Sequence, residues 1–122
     1  MLAVSDVLIL AAPSTPHTKG LLNGASIEKL PSKAILVNIA RGDLVEDDAL
    51  IAALRSGRIA GAGLDVFNNE PRLDSRYLDL PNVFLQPHQG SSTLTARLKM
   101  ASVLLAGIDA VLAGSHPPNR LV

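Results

Sequence analysis

The sequence predicts an α/β fold in which about four parallel strands alternate with helices and are followed by a long C-terminal helix. The strands are predicted from four apolar runs without polar alternation, a pattern typical of strands buried on both faces of a parallel sheet. These runs are residues 7–12, 34–39, 59–66 and 83–86. Helical segments and loops separate the runs, and such alternation favours parallel strands joined by right-handed crossovers.

Three helices are predicted between and after the strands. They span residues 26–30, 47–56 and roughly 91–113. Ser26 is the expected N-cap of the first helix, and Ser91 or Ser92 that of the last. The last helix is apolar on so much of its surface that we expect it to be covered on more than one side. Residues 116–122 contain two prolines and are expected to be extended.

Composition limits the class of protein. With 122 residues, of which 48% are hydrophobic and 2% aromatic, the chain is long enough for one small domain with an aliphatic core. Its 11 basic and 11 acidic residues cancel, so charge gives no support for binding nucleic acid or an anionic membrane. The absence of cysteine excludes disulfides and thiolate metal sites, and no metal site is predicted.

No targeting or membrane segment is recognisable in the sequence. The first residues, Met1 to Asp6, lack the basic region that precedes the apolar core of a signal peptide. The apolar stretch 100–113 is interrupted by Asp109 and is too short to cross a bilayer. A soluble, cytoplasmic protein without membrane partners is therefore the expectation.

Chemically active side chains follow three neighbouring predicted strands. Arg41 follows the second strand, Asp65 and Glu70 follow the third, and His88 follows the fourth. In parallel α/β sheets ligands bind at the carboxyl ends of the strands. Each of these residues alone is more often structural, and spacing does not establish that they converge.

Together the residues suit the oxidation of a 2-hydroxy acid. The planar fork of Arg41 can hold a carboxylate through two parallel hydrogen bonds. His88 can take the hydroxyl proton near neutral pH. Glu70 can bond to the imidazole, fix its tautomer and stabilise its charged form, while hydride leaves to a cofactor.

Three motifs resemble consecutive signatures of the D-isomer-specific 2-hydroxyacid dehydrogenases. They are Asn-Ile-Ala-Arg-Gly at 38–42, Gly-Leu-Asp-Val-Phe-Asn-Asn-Glu-Pro at 63–71 and Pro-His-Gln-Gly-Ser at 87–91. Residues 5–13 and 15–21 resemble the preceding strand and loop of the same family, so the likeness covers essentially the whole chain. It implies half of a Rossmann-type doubly wound parallel sheet and an oxidoreductase that uses NAD or NADP.

The resemblance also implies roles for individual residues. Arg41 corresponds to the Arg that binds the substrate carboxylate, Glu70 to the acid that orients the histidine, and His88 to the acid/base. The residues implied at the cofactor are Pro13, Thr18, Ile39, Ala40, Arg41, Asp65, His88 and Gly90, with Asp65 at the nicotinamide amide. His17 and His116 match no catalytic position and are expected to be solvated.

One part of the family pattern is missing. No G-x-G-x-x-G phosphate loop occurs in the sequence. Residues 1–122 are therefore expected to be a single partial dinucleotide-binding domain, the second half, without the first half or the substrate domain. Cofactor binding by this chain alone is expected to be weak or absent, and the identity of the 2-keto or 2-hydroxy acid stays open.

Two functions remain as alternatives. The chain is either an enzyme, alone or after pairing with a supplied first half, or a catalytically silent module that folds and self-associates; silence is favoured for the chain alone. A homodimer is expected because the strand between Val7 and Ala12 lacks its neighbour and carries no Lys, Pro or Gly to protect its edge. The two copies would pair at this edge or exchange the C-terminal helix.

Overall fold

The computed structural model describes residues 1–120 and contains one sheet of four parallel strands. The strands are β1 (Val7–Leu10), β2 (Ile35–Asn38), β3 (Gly61–Leu64) and β4 (Val83–Leu85), in the spatial order β1-β2-β3-β4. This confirms the predicted fold class. Each strand is shorter than its apolar run, β1 and β4 at one end and β2 and β3 at both ends.

The chain divides into two compact units, Met1–His88 and Gln89–Val122. The first unit contains the sheet, helices α1 (Gly24–Ile27) and α2 (Asp47–Arg55), and single 3₁₀ turns at Leu2–Val4, Gly42–Leu44 and Ser75–Tyr77. The described part of the second unit consists of helix α3 (Leu94–Leu112) and its flanking residues.

Both predicted helix caps are wrong. The α1 cap is Asn23: its Oδ1 accepts from the Ser26 N–H at 3.1 Å, while the Ser26 hydroxyl oxygen accepts from the Asn23 N–H at 2.8 Å. This reciprocal pair is a capping box, so Ser26 lies three residues inside the cap. The α3 cap is Thr93, whose hydroxyl oxygen accepts from the Ala96 N–H at 3.2 Å.

The core of the first unit lies on one face of the sheet. Leu36 of β2 and Leu50 of α2 are fully buried, together with Leu44 and Ile59 from the connecting segments. Helix α2 follows the predicted pattern, with Leu50, Ile51 and Leu54 all buried. The opposite side of the strands exposes apolar side chains, among them Val7, Ile9, Ile35 and Phe84.

Strand β1 lies at one end of the sheet, as the sequence predicts. Among the described residues it pairs with β2 alone, so its other side offers unpaired backbone groups. Beside this edge runs an apolar groove, lined by Met1, Leu2, residues 8–12, Leu21, Leu22 and Ser26. The edge is therefore both unpaired and apolar.

In the second unit α3 has no buried residue, and apolar side chains such as Leu98, Leu104 and Leu105 are exposed along it. Within residues 1–120 no helix has the length and apolar character that spanning a bilayer needs. The expected extended tail is corrected for 117–120, where Arg120 N–H bonds back to the Pro117 carbonyl at 3.2 Å. Residues 121 and 122 of that prediction lie outside the described part.

Candidate functional site

Arg41 is presented on a turn that the side chain of Asn38 closes. Asn38, the last residue of β2, is only 1% exposed. Its Oδ1 accepts from the Ala40 N–H at 3.1 Å, and its Nδ2 donates to the Arg41 carbonyl at 2.9 Å. Because a buried amide with both ends bonded is fixed in place, the backbone that carries the exposed Arg41 is fixed as well.

The turn that carries Arg41 touches the loop 67–70 through Gly42. A Cβ added at Gly42 would lie 2.0 Å from the carbonyl carbon of Phe67 and 2.3 Å from the backbone nitrogen of Asn68. No side chain fits in that space, so the two backbones are in direct contact. This contact places Arg41 beside the loop that ends in Glu70.

Glu70 bridges its own loop and His88. Its Oε1 accepts from the Phe67 N–H at 2.9 Å, and its Oε2 lies 2.7 Å from His88 Nδ1. The hydrogen bond to His88 lowers the pKa of Glu70 below its ordinary value of 4.5, and the Phe67 N–H and the charges of His88 and Arg41 act in the same direction. The side chains of Glu70 and His88 are 34% and 47% exposed, so the pair is open to a ligand.

The backbone at this pair is unusual. His88 has φ +52° and Asn69 has φ +61°, both in the left-handed region that side chains other than glycine rarely adopt. Such residues cluster at functional sites, where the surrounding structure must hold them in place. Here the His88 N–H donates to the Gln86 carbonyl at 3.0 Å, which fixes the direction in which the chain leaves β4.

A cleft of about 520 Å³ opens between the ends of β1 and β2. Residues 11–14 and 39–41 line it, so it contains the predicted cofactor residues Pro13, Ile39, Ala40 and Arg41. Thr18 does not line the cleft. Its hydroxyl donates to the Pro13 carbonyl at 2.7 Å and accepts from the Thr15 N–H at 2.8 Å. Thr18 therefore fixes the backbone of residues 13–15.

The other predicted residues are distributed as follows. Asp65 is buried just beyond β3, and its N–H donates to the Asn38 carbonyl at 3.0 Å, which joins it to the Arg41 turn. Gly90 belongs to the second unit, so its role at the cofactor stays a prediction. His17 and His116 are exposed. Within residues 1–120 no cluster of three or more His, Cys, Asp or Glu side chains is arranged to hold a metal.

Sequence reasoning missed the residues that hold the site together. Asn38 and Gly42 belong to the motif that was recognised, but no role was assigned to them. The available signals were a polar residue at the end of an apolar strand and a glycine directly after the candidate Arg. The bonds of Asp47 with Asn68 and Tyr77 link segments more than 20 residues apart, and no sequence pattern indicates them.

Comparison with known proteins identifies relatives of this chain. The family model "D-isomer specific 2-hydroxyacid dehydrogenase, NAD binding domain" matches residues 1–90. A glycerate dehydrogenase of Hyphomicrobium methylovorum is 50% identical over 115 residues, which cover 94% of this chain and 36% of that protein. A glyoxylate reductase of Pyrococcus furiosus is 46% identical, covering 98% and 35%. The chain thus spans about a third of the length of the curated relatives it matches.

Solved structures agree with these sequence matches. The NADPH-dependent glyoxylate/hydroxypyruvate reductase of Sinorhizobium meliloti, in complex with NADP and malonate, superposes with a TM-score of 0.82 at 40% identity. That match covers 86% of this chain and 33% of the reductase. The fold is therefore shared with Rossmann-type dehydrogenase domains.

Proposed function

Because the chain belongs to the D-isomer specific 2-hydroxyacid dehydrogenase family, we propose that it supplies the proton-transfer and carboxylate-binding side of a dehydrogenase that uses NAD or NADP. The substrate is a small 2-hydroxy or 2-keto acid. The observation that carries the proposal is the 2.7 Å contact between His88 Nδ1 and Glu70 Oε2, near the charge of Arg41. Glyoxylate and hydroxypyruvate, named for relatives, are the first substrates to test.

His88 acts as the acid/base in this proposal. A carboxylate can only accept, so Glu70 Oε2 assigns the proton of the contact to His88 Nδ1. Nε2 is then the nitrogen that exchanges a proton with the substrate: it takes the proton of a 2-hydroxy group or returns one to a 2-keto oxygen. Glu70 stabilises the imidazolium that forms when Nε2 gains a proton, as in other oriented acid/base pairs.

Arg41 binds the substrate carboxylate. Its Nη1 donates to the Ala40 carbonyl at 2.6 Å, which ties the guanidinium to the cleft between β1 and β2. A guanidinium has five donors in one plane, so the remaining ones can hold a carboxylate through two parallel bonds. In the proposed complex, Arg41 holds the carboxylate and His88 Nε2 meets the C2 oxygen next to it.

The residues of the cleft suit the nicotinamide end of the cofactor. Ala11, Ala12 and Ala40 give it small walls, and the cleft lies at the carboxyl ends of parallel strands, where α/β folds bind nucleotides. When bound, the nicotinamide supplies or accepts the hydride. The phosphate end lacks its usual partner, because the sequence has no glycine-rich loop at a helix N-terminus.

A chimera separates the catalytic from the silent alternative. In it, this chain replaces the matched segment of the Hyphomicrobium methylovorum glycerate dehydrogenase. We expect the chimera to oxidise NADH or NADPH with hydroxypyruvate or glyoxylate. The chain alone is expected to show no turnover and, in calorimetric titration, no saturation by NAD below about 1 mM, because the pyrophosphate is not held.

The outcomes of these assays are distinct. If the chimera turns over and the chain by itself does not, the proposed function is supported. Binding of the cofactor phosphates is then assigned to the rest of the enzyme. A chimera that folds and binds NADH but cannot turn over would contradict the proposal. Turnover by the pure chain, lost in His88→Ala, would keep the assignment of the site and overturn the expected silence.

We also propose a second function, self-association of the chain alone, which the free edge of β1 favours. Two copies can pair their β1 strands around a two-fold axis, because one side of this strand is unpaired and apolar. The exchange of α3 between copies is the other arrangement. Either product is a homodimer.

Placing a lysine on β1 tests edge pairing. Ile9→Lys is expected to dissociate the dimer, because the new charge would lie in the interface. Sedimentation across a dilution series measures it, with Ile35→Lys as the matched control. Ile9 and Ile35 are 57% and 44% exposed, but Ile35 lies on an inner strand. A wild-type chain that stays monomeric and folded at micromolar concentration would contradict edge pairing.

A further inference from the structure

We propose that Asp47, Asn68 and Tyr77 form a clamp that positions Glu70 against His88. The clamp lies outside the predicted site, and its effect on catalysis rests on the function proposed above. Asp47 is the first residue of α2, Asn68 belongs to the loop 67–70, and Tyr77 ends a 3₁₀ turn. Asp47 bonds to Tyr77 and to Asn68, so Asp47 and Tyr77 act on Glu70 through the loop and are positioning residues.

The carboxylate of Asp47 joins the other two side chains. Its Oδ1 accepts from the Tyr77 hydroxyl at 2.8 Å, and its Oδ2 accepts from Asn68 Nδ2 at 2.9 Å. Asn68 Nδ2 also donates to the Val45 carbonyl at 3.1 Å. Both hydrogens of this amide are thus used. The two bonds to the Asp47 carboxylate are charge-assisted, and such bonds are about twice as strong as neutral ones.

Tyr77 gives the clamp a rigid base. It is 2% exposed and belongs to the hydrophobic core of the first unit. Burial, and then the bond to Asp47, raises the pKa of Tyr77 far above its ordinary value, so its hydroxyl remains a donor. With one oxygen held by a core residue, the Asp47 carboxylate presents the other oxygen to the loop in one orientation.

The clamp grips the loop next to Glu70. Asn68 precedes Glu70 by two residues, and the peptide that joins Phe67 to Asn68 lies directly on Gly42. The Phe67 N–H in turn bonds Glu70 Oε1 at 2.9 Å, while Oε2 reaches His88 Nδ1 at 2.7 Å. Releasing Asn68 would let this peptide lift from Gly42, and the carboxylate that it orients would move away from the imidazole.

A matched control tests whether Asp47 only stabilises helix α2. A negative charge in the first turn of a helix stabilises that helix, and Asp48 has the same charge one residue later. Its side chain is 87% exposed and pairs with Arg76 Nη2 at 2.7 Å. Asp48→Asn therefore removes the same charge from the same turn and leaves the loop 67–70 untouched.

The test follows the carboxyl ¹³C signal of Glu70 against pH by NMR in the full chain. In Asn68→Ala and Asp47→Asn we expect the pKa of Glu70 to rise toward 4.5, because the bonds that lower it are loosened. Asp48→Asn should not raise it. Removing a nearby negative charge would by itself lower the pKa of Glu70, so a rise in Asp47→Asn cannot be an effect of charge.

Tyr77→Phe keeps the test decisive if the other variants fail to fold. It removes only the hydroxyl, and the Glu70 titration should still move in the same direction. An unchanged titration in the folded variants would overturn the clamp. The same follows if all variants, Asp48→Asn included, lower the melting temperature alike without moving the titration, since that result defines a structural role.

The chimera distinguishes failure of the clamp from failure of the proposed function. Asn68→Ala should lower its kcat by about 10- to 100-fold, the scale on which small misplacements act. If His88→Ala abolishes turnover but Asn68→Ala neither slows it nor moves the Glu70 titration, the clamp is wrong and the function stands. If the titration moves while His88→Ala leaves turnover intact, the function is wrong.

Discussion

Replacing Gly42 with alanine is expected to destabilise the first unit by at least about 3 kcal/mol, or to prevent it from folding. The added methyl would lie 2.0 Å from the Phe67 carbonyl carbon. The obstacle is backbone rather than a movable side-chain end, so the Arg41 turn and the loop 67–70 would have to separate. Urea unfolding followed by circular dichroism measures the loss.

Gly24→Ala is the matched control for this substitution. Nothing lies within 4 Å of a Cβ at Gly24, which is a helical residue of α1. Alanine there should leave stability unchanged or raise it by about 0.5 kcal/mol. A Gly42→Ala protein as stable as the wild type would show that the two segments are not in the contact described.

Replacing His88 with alanine is expected to lower kcat of the chimera by about 100- to 10,000-fold, the range for loss of a general acid/base. The cause is the loss of proton exchange at Nε2, so KM for the keto acid should change far less. Steady-state kinetics with hydroxypyruvate give both constants. His17→Ala, the same change at an exposed histidine outside the site, should leave both unchanged.

Glu70→Gln separates the two parts of the pair. The amide preserves the size of the side chain but removes the charge that stabilises the imidazolium, so a smaller fall in kcat than in His88→Ala is expected.

The lowered pKa of Glu70 also makes the free energy of unfolding depend on pH. The stabilisation from this pair is present above the ordinary pKa of Glu70 and is lost as the pH falls through its lower folded value. Equal kcat in His88→Ala and wild type would contradict the acid/base role.

The architecture was predictable because the information is local. Uninterrupted apolar runs indicate buried parallel strands, and the face formed by Leu50, Ile51 and Leu54 indicates α2. The ends were less predictable: Ala11 and Ala12 continue the first run in hydrophobicity, yet the chain has already left β1 after Leu10. The predicted helix caps were wrong because several neighbouring polar residues can serve as a cap. The backbone geometry selects Asn23 and Thr93 among them.

The chemically active residues were predictable by motif, and their supports were not. The positions of Arg41, Glu70 and His88 follow from strand ends and resemblance. The roles of Asn38 and Gly42 depend on which backbone lies behind them, and Asp47 meets Tyr77 across 30 positions. Such contacts are set by tertiary packing and leave no periodic signal in one sequence.

Binding of oxamate, an amide analogue of pyruvate, to the isotope-labelled full chain tests most directly whether Arg41 and His88 belong to one substrate site. We expect the Arg41 Nε–H and His88 Cε1–H resonances to shift together with one Kd. The Kd should be roughly 10 mM or weaker, because the ion pair between Arg41 and the oxamate carboxylate is exposed to solvent. Arg41→Gln should abolish both shifts. Shifts that leave His88 unmoved, or that persist in Arg41→Gln, would contradict a shared site.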